Sequence, residues 1–261
     1  VMKFHKRSIK KFFITGTDTS VGKTLFCSIL MDKFLYDYWK PIQTGNKNDN
    51  DTIYIKKICK IPDIRFCKTV FSFKKPLSPQ QASKYENVCV NLNKIKRPVT
   101  SNPLIIEGVG GILVPLNNTN LIIDLIKKLK LSVIIVSRST LGTINHTLMT
   151  IKILRQNRVL IYGVVLNGPI NTKNAESIEH FGKVKVLTQI PFFKKDMFKN
   201  HMDLLIYKMG DRNNQSFVVY LSSYPPRKCG IASFTQDLTA AMDKIANPRL
   251  KSNIIALNDN G

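Results

Sequence analysis

The chain has 261 residues, 43% of them hydrophobic, enough for one large α/β domain or a domain plus a fragment, and no uninterrupted apolar run approaches a membrane span. Lys and Arg number 40 against 17 Asp and Glu, a formal net charge of +23, but they are spread along the whole chain without interleaved aromatics, which reads as a solvated surface that can collect anionic ligands and not as a nucleic-acid stripe. The five cysteines (Cys27, Cys59, Cys67, Cys89, Cys229) lack paired spacing and the basic residues 1–11 lack a following apolar region, so the reading is free thiols in a reducing cytoplasm with no signal peptide.

In chain order, Phe12–Ile14 reads as a buried strand and Gly22 to about Tyr36 as a helix with apolar residues at helical spacing. Between them stands Gly16-Thr17-Asp18-Thr19-Ser20-Val21-Gly22-Lys23-Thr24. A phosphate needs donors packed around it, and a glycine-bounded loop lets backbone N–H groups point inward at the positive end of the following helix. Lys23 can reach the β- and γ-phosphates and the Thr24 hydroxyl can ligate Mg²⁺. This is a phosphate-binding loop with one residue more between its glycines than G-x-x-x-x-G-K-[ST].

A short strand follows in Tyr38-Trp39-Lys40-Pro41-Ile42-Gln43-Thr44-Gly45, leaving Lys40 and Thr44 at a strand's carboxyl end, where ligands sit in open parallel sheets. Asp51 opens a helix over Thr52–Ile61, either as a first-turn acid or as a site residue. A rigid turn over Lys75–Pro79 precedes a helical stretch around Gln80–Tyr85. Leu104-Ile105-Ile106-Glu107-Gly108-Val109-Gly110-Gly111 is a buried strand ending in an acid and a glycine loop, and a carboxylate in that place is a common Mg²⁺ partner of a phosphate loop.

Helices are predicted around Asn120–Lys130, from Leu141 to Asn157 and over 174–182, and strands over Ser132–Ser137, Val159–Leu166 and Val184–Leu187. This alternation predicts an α/β fold of the P-loop nucleotide-binding type, its sheet mostly parallel and helix-covered on both faces. The pattern weakens near residue 200, and a boundary is placed between 212 and 213. Beyond it come a strand, Phe217–Leu221, a helix, Ser233–Ile245, and a strand, Ile254–Leu257, a β-α-β fragment too small to bury its own faces well.

The first two hundred residues resemble dethiobiotin synthetase. The resemblance rests on five ordered matches: the phosphate loop with its long spacing, Lys40-Pro41-Ile42-Gln43-Thr44-Gly45, Glu107-Gly-Val-Gly-Gly with Pro115-Leu116, Leu141-Gly142-Thr143-Ile144-Asn145-His146, and the late Asn167 with Ile190-Pro191. It implies a cytoplasmic, homodimeric ligase of biotin synthesis that binds neither nucleic acid nor membrane. Its substrates would be 7,8-diaminononanoate, CO₂ and ATP, with Mg²⁺. By the resemblance the ATP site comprises Thr19, Ser20, Val21, Gly22, Lys23, Thr24, Leu25, Asp51, Glu107, Gly108, Val109 and Gly110. Asn167 would read adenine, with Pro191, Phe192 and Phe193 lining the base pocket. Mg²⁺ would be held by Thr24, Asp51 and Glu107. Lys23 and Lys40 would be catalytic, Thr44 a substrate contact, and Gly142, Thr143 and Asn145 the site for the substrate carboxylate of the partner subunit. The chain departs from the family in Ser20, where an acid is frequent, and in Arg138 near the tail site.

Residues 224–238 resemble the start of a nucleotide-sugar glycosyltransferase, without that family's donor-binding second domain, which reads as a fusion remnant. Two other functional readings are a nucleotide-driven switch of the partitioning type and an inactive fusion relic. The partitioning ATPases carry an additional lysine early in the loop, where this chain has Thr17-Asp18-Thr19.

Overall fold

Runs such as Leu104-Ile105-Ile106, Val133-Ile134-Ile135-Val136 and Val164-Val165-Leu166 are buried at every residue. Successive strand side chains point to opposite faces, so these strands are covered on both. The computed structural model describes residues 11–46, 50–59 and 61–191, and the backbone of two strands, 217–222 and 251–256. By internal packing the chain divides into one unit of Phe4–Leu204 and another of Leu205–Gly261 with Val1–Lys3.

The larger unit runs β1 (Lys11–Gly16), α1 (Lys23–Phe34), β2 (Asp37–Trp39), β3 (Ile42–Thr44), α2 (Asp51–Ile58), β4 (Phe66–Cys67), β5 (Phe71–Phe73), α3 (Pro79–Tyr85), β6 (Leu104–Gly111), α4 (Ile122–Leu129), β7 (Ser132–Arg138), α5 (Thr143–Gln156), β8 (Ile161–Asn167), α6 (Thr172–Gly182) and β9 (Val186–Ile190). The main sheet has the order β4-β2-β6-β1-β7-β8-β9, and its pairings are parallel. This is the expected α/β architecture. β1 leads to β2 on one side while its neighbour β6 leads to β7 on the other, so the connections leaving these adjacent strands diverge, which opens a crevice at their carboxyl ends.

Several boundaries differ from expectation for local reasons. Pro41 has no N–H to continue the pairing of β2. The chain restarts as β3, which pairs in parallel with β5 in a separate two-stranded sheet. α2 ends at Ile58, before the predicted Ile61: Cys59 is already extended, and Pro62 keeps Ile61 out of helical geometry. β8 begins at Ile161 and β9 spans Val186–Ile190, each later than its predicted start.

In the smaller unit, β10 (Phe217–Ser222) and β11 (Lys251–Ala256) pair in parallel with Phe217 opposite Lys251. The predicted helix 233–245 and the boundary at 212/213 lie outside the described residues. No helix among the described residues is long and apolar enough to cross a membrane.

Burial predicts the response to truncation. Ile134 is 1% exposed and Val99 fully exposed. Ile134→Ala should cost about 2–5 kcal/mol in chemical denaturation, and Val99→Ala less than about 0.5 kcal/mol. Equal costs would contradict the assigned core.

Candidate active site

The phosphate loop leaves β1 at Gly16, and Thr17 N–H donates to the Val136 carbonyl of β7 at 3.0 Å. A Cβ at Gly16 would lie 2.5 Å from the Asp18 carbonyl oxygen and 2.9 Å from Lys23 Nζ, so only glycine lets the loop fold back this tightly. Gly22 has φ +99°, and a Cβ there would lie 2.3 Å from Asn167 Nδ2. Thr19 and Ser20 form the exposed crest of the loop, Ser20 at φ 52°. Lys23 is buried at the base, its Nζ donating to the Asp18 carbonyl at 2.9 Å.

Helix starts differ in their caps, and α4 begins at an extended Leu121 whose N–H is given to Asp124. α2, α3 and α6 have side-chain caps from Asn50, Ser78 and Asn171. α1 and α5 begin at left-handed glycines, Gly22 and Gly142, without side-chain caps. A helix start without such a cap keeps N–H donors and a positive dipole end for an anion.

Beside α1 lies a buried ionic cluster. Lys40 follows β2 and Glu107 lies on β6; they are 3% and 1% exposed. Lys40 Nζ lies 2.5 Å from Asp51 Oδ2 and 3.0 Å from Glu107 Oε1, and it donates to the Gly108 carbonyl at 3.2 Å. Glu107 Oε2 accepts from the buried Tyr38 hydroxyl at 2.9 Å. Thr24 Oγ1 lies 2.6 Å from Asp51 Oδ1 and 2.9 Å from Glu107 Oε1.

The cluster sets its own ionisation. Burial pulls the Lys40 ammonium down, but Glu107 and Asp51 outweigh it and its pKa ends above the ordinary lysine value. Burial pushes Asp51 up, and Lys40 more than offsets this, so the carboxyl ends below its ordinary value. Burial, reinforced by Glu107, raises Tyr38 and Cys27 well above their ordinary values. For Lys23 burial dominates and Lys40 adds repulsion, which lowers its pKa to about 8.

The donor set fits Mg²⁺. No group of three or more His, Cys, Asp or Glu suited to a metal occurs among the described residues. Two carboxylates and a hydroxyl do converge, and the hydroxyl has one proton for two acceptors. Mg²⁺ is usually held by one or two carboxylates together with substrate phosphates.

These groups line one cleft of about 890 Å³, together with Thr19, Ser20, Gly22, Leu25, Thr44, Val109, Gly110 and Asn167. The cleft also includes Gln43, Asn50, Tyr54, Pro76, Leu77, Ser78, Gln81 and Val114, none of which the sequence reading singled out as site residues. Gln43 is buried and its Oε1 accepts from Asp51 N–H at 3.3 Å, which helps place that carboxylate. The only signal for Gln43 was its place between Lys40 and Thr44.

The other predicted residues that the structure describes, Asn167 excepted, are not part of this lining. Val21 is buried behind the loop, and its carbonyl accepts from Asn167 Nδ2 at 3.1 Å. Asn167 Oδ1 is buried and has no protein partner. Gly108 supplies its carbonyl to Lys40 and packs against the Phe13 ring. Pro191 is half-buried and not part of the cleft lining; Phe192 and Phe193 lie outside the described residues. Gly142, Thr143 and Asn145 are also not part of this lining. Thr143 is buried with its hydroxyl 2.7 Å from Ser137 Oγ, so its side chain faces inward, and Asn145 is exposed. Arg138 pairs with Asp18 at 2.8 Å.

A family model described as an AAA domain matches residues 10–197. The ATP-dependent dethiobiotin synthetase BioD of Paramagnetospirillum magneticum is 46% identical over 178 residues, 68% of this chain and 86% of the relative. The enzyme of the same name from Lawsonia intracellularis is 45% identical over 182 residues, 70% and 88% of the two chains. Among solved structures, the septum site-determining protein MinD with Mg-ADP from Pyrococcus horikoshii OT3 is 11% identical, with a TM-score of 0.42 over 70% of this chain and 81% of that one.

The lowered Lys23 pKa predicts a pH dependence. Above about 8 the free lysine loses its proton, and a bound polyphosphate restores it. Nucleotide affinity should therefore fall as pH rises from 7 to 9, and binding should take up close to one proton at pH 9 and almost none at pH 7. Calorimetry in buffers of different ionisation enthalpy reads this directly. The same proton uptake in Lys23→Ala would contradict the assignment.

Proposed function

The chain belongs to the ATP-dependent dethiobiotin synthetase family, and from that premise we propose how its cleft performs the reaction. The activity that goes with this membership is ATP-dependent formation of dethiobiotin, a ligase step of biotin biosynthesis. The observation that carries the residue roles is the convergence of Lys23, Lys40, Thr24, Asp51 and Glu107 in one cleft.

ATP would lie with its β- and γ-phosphates over the α1 start, where loop N–H groups and Lys23 offset the phosphate charge. Thr24, Asp51 and Glu107 would hold Mg²⁺, which shields phosphate charge. One amine of 7,8-diaminononanoate takes up CO₂ as a carbamate. A carbamate oxygen attacks the γ-phosphorus and ADP leaves. The second amine then attacks the carbamoyl carbon, and phosphate leaves as the ureido ring closes. The Lys40 ammonium, beside Asp51 and Glu107, is suited to hold the carbamate oxygen in line with the γ-phosphate. Thr44, half-buried in the cleft, would hydrogen-bond the substrate. Asn167, with Pro191, Phe192 and Phe193, would form the adenine pocket.

The inward-facing Thr143 hydroxyl narrows the tail site. A substrate carboxylate at the start of α5 would meet the positive end of the helix after Gly142, where Thr143 N–H is already given to the Thr140 carbonyl, and the exposed Asn145. Such a carboxylate would come from the partner's cleft in a homodimer. Cysteines kept as thiols suit a cytoplasmic enzyme.

Protein mixed with 7,8-diaminononanoate, bicarbonate, Mg²⁺ and ATP should yield dethiobiotin by mass spectrometry with one phosphate per product; ATP turnover without product would overturn the assignment. Lys23→Ala should reduce turnover on the order of a hundredfold, and unchanged turnover would remove Lys23 from the mechanism. Glu107→Gln should raise the Mg²⁺ concentration needed for half-maximal rate, and an unchanged requirement would leave Glu107 a structural group.

A further inference from the structure

We propose that Ser137 is a positioning residue that fastens the first turn of the phosphate loop to the start of α5. Three hydroxyls surround its buried Oγ: Thr143 Oγ1 at 2.7 Å, Thr147 Oγ1 at 2.9 Å and Thr17 Oγ1 at 3.2 Å. Thr17 and Thr147 donate to Ser137. A serine hydroxyl has two lone pairs and one proton. The two donors fill the lone pairs, so the Ser137 proton goes to Thr143. Every bond Ser137 can make is thereby used.

The cluster joins three distant pieces of chain. Thr17 opens the phosphate loop, Thr143 is the first residue of α5 and Thr147 lies one turn on. The neighbours of Ser137 on β7 act on the same loop turn. The Val136 carbonyl accepts from Thr17 N–H, and Arg138 pairs with Asp18. Asp18 in turn accepts from Lys23 through its carbonyl. Three consecutive residues of β7 therefore hold Thr17 and Asp18, and Asp18 places the lysine of the loop. Ser137 also follows the apolar run Val133–Val136, and a further apolar residue in its place would leave the Thr17, Thr143 and Thr147 hydroxyls without this partner.

A loop already held in its binding shape loses less conformational freedom when phosphates arrive. Loss of the Ser137 bonds should therefore appear in nucleotide affinity and little in the rate once nucleotide is bound. At the far side of the cluster the same bonds hold the helix start assigned to the partner's substrate carboxylate. That second effect rests on the dethiobiotin synthetase reading; the first rests only on nucleotide binding.

The test measures Mg²⁺ and a non-hydrolysable ATP analogue binding to wild-type protein, Ser137→Ala, Thr17→Val and the double variant by calorimetry, with kcat and KM for ATP and diamine. Ser137→Ala should weaken analogue binding about tenfold and raise both KM values, while kcat falls less than about twofold. Thr17→Val should weaken analogue binding alike, and the double variant no further, because each removes the one bond that ties the loop to the cluster. Wild-type affinity in both single variants, multiplicative losses in the double, or a fall in kcat with unchanged affinity would overturn the proposal. If Ser137→Ala fails to fold, Thr17→Val decides alone, its affinity loss supporting the proposal and its wild-type affinity overturning it. A tether that governs analogue affinity in a protein making no dethiobiotin would overturn the functional reading and leave the tether standing.

Discussion

One buried ammonium between two carboxylates sets the terms for the rest of the site. Taking charges out of water costs several kcal/mol per ion, and removing one partner of a buried pair costs about 3–5 kcal/mol because the other is left uncompensated. Lys40, Asp51 and Glu107 therefore stand or fall together, and the fold must bring β2, α2 and β6 to one point. The sheet register does this. Trp39 lies opposite Ile106, so the next residues, Lys40 and Glu107, are side by side. One position earlier, Tyr38 lies opposite Ile105, and its hydroxyl reaches the remaining Glu107 oxygen.

Around this cluster the structure arranges donors for anions. β1 delivers the phosphate loop at the point where the sheet order diverges, and Gly22 gives α1 a start with no side-chain cap. The two lysines differ because their surroundings differ. Lys40 faces two carboxylates and stays charged, whereas Lys23, buried at the loop base and repelled by Lys40, is easily deprotonated. An incoming polyphosphate reverses that second condition, so Lys23 is suited to respond to ligand and Lys40 to hold the site together beforehand.

Legibility in the sequence followed distance along the chain. The phosphate loop was readable because its chemistry is compressed into nine residues, and Glu107 because a strand and a glycine turn frame it. The parallel alternation was readable from apolar runs. Lys40 and Asp51 could not be weighed from spacing alone. The first-turn reading of Asp51 stayed open until the sheet register and α2 placed the two together, and the resemblance supplied their roles. The β3–β5 sheet was missed because three-residue strands leave no periodic signal. Gln43, Tyr54 and Gln81 come from three different elements, and nothing local marks them as cleft residues. The hydroxyl cluster is the extreme case: Thr17, Ser137, Thr143 and Thr147 are ordinary residues until β7 places the loop against α5.

The central claim is that the cleft phosphorylates an oxygen of a substrate carbamate and releases that oxygen with phosphate when the ring closes. The most direct measurement supplies ¹⁸O-labelled CO₂ with the diamine, ATP and Mg²⁺ and weighs the phosphate released. Attack of the second amine on carbon breaks the bond between that carbon and the phosphorylated oxygen, so the account predicts one labelled oxygen in each phosphate. Phosphate free of label, formed alongside dethiobiotin, would mean that water cleaves ATP and would contradict the account.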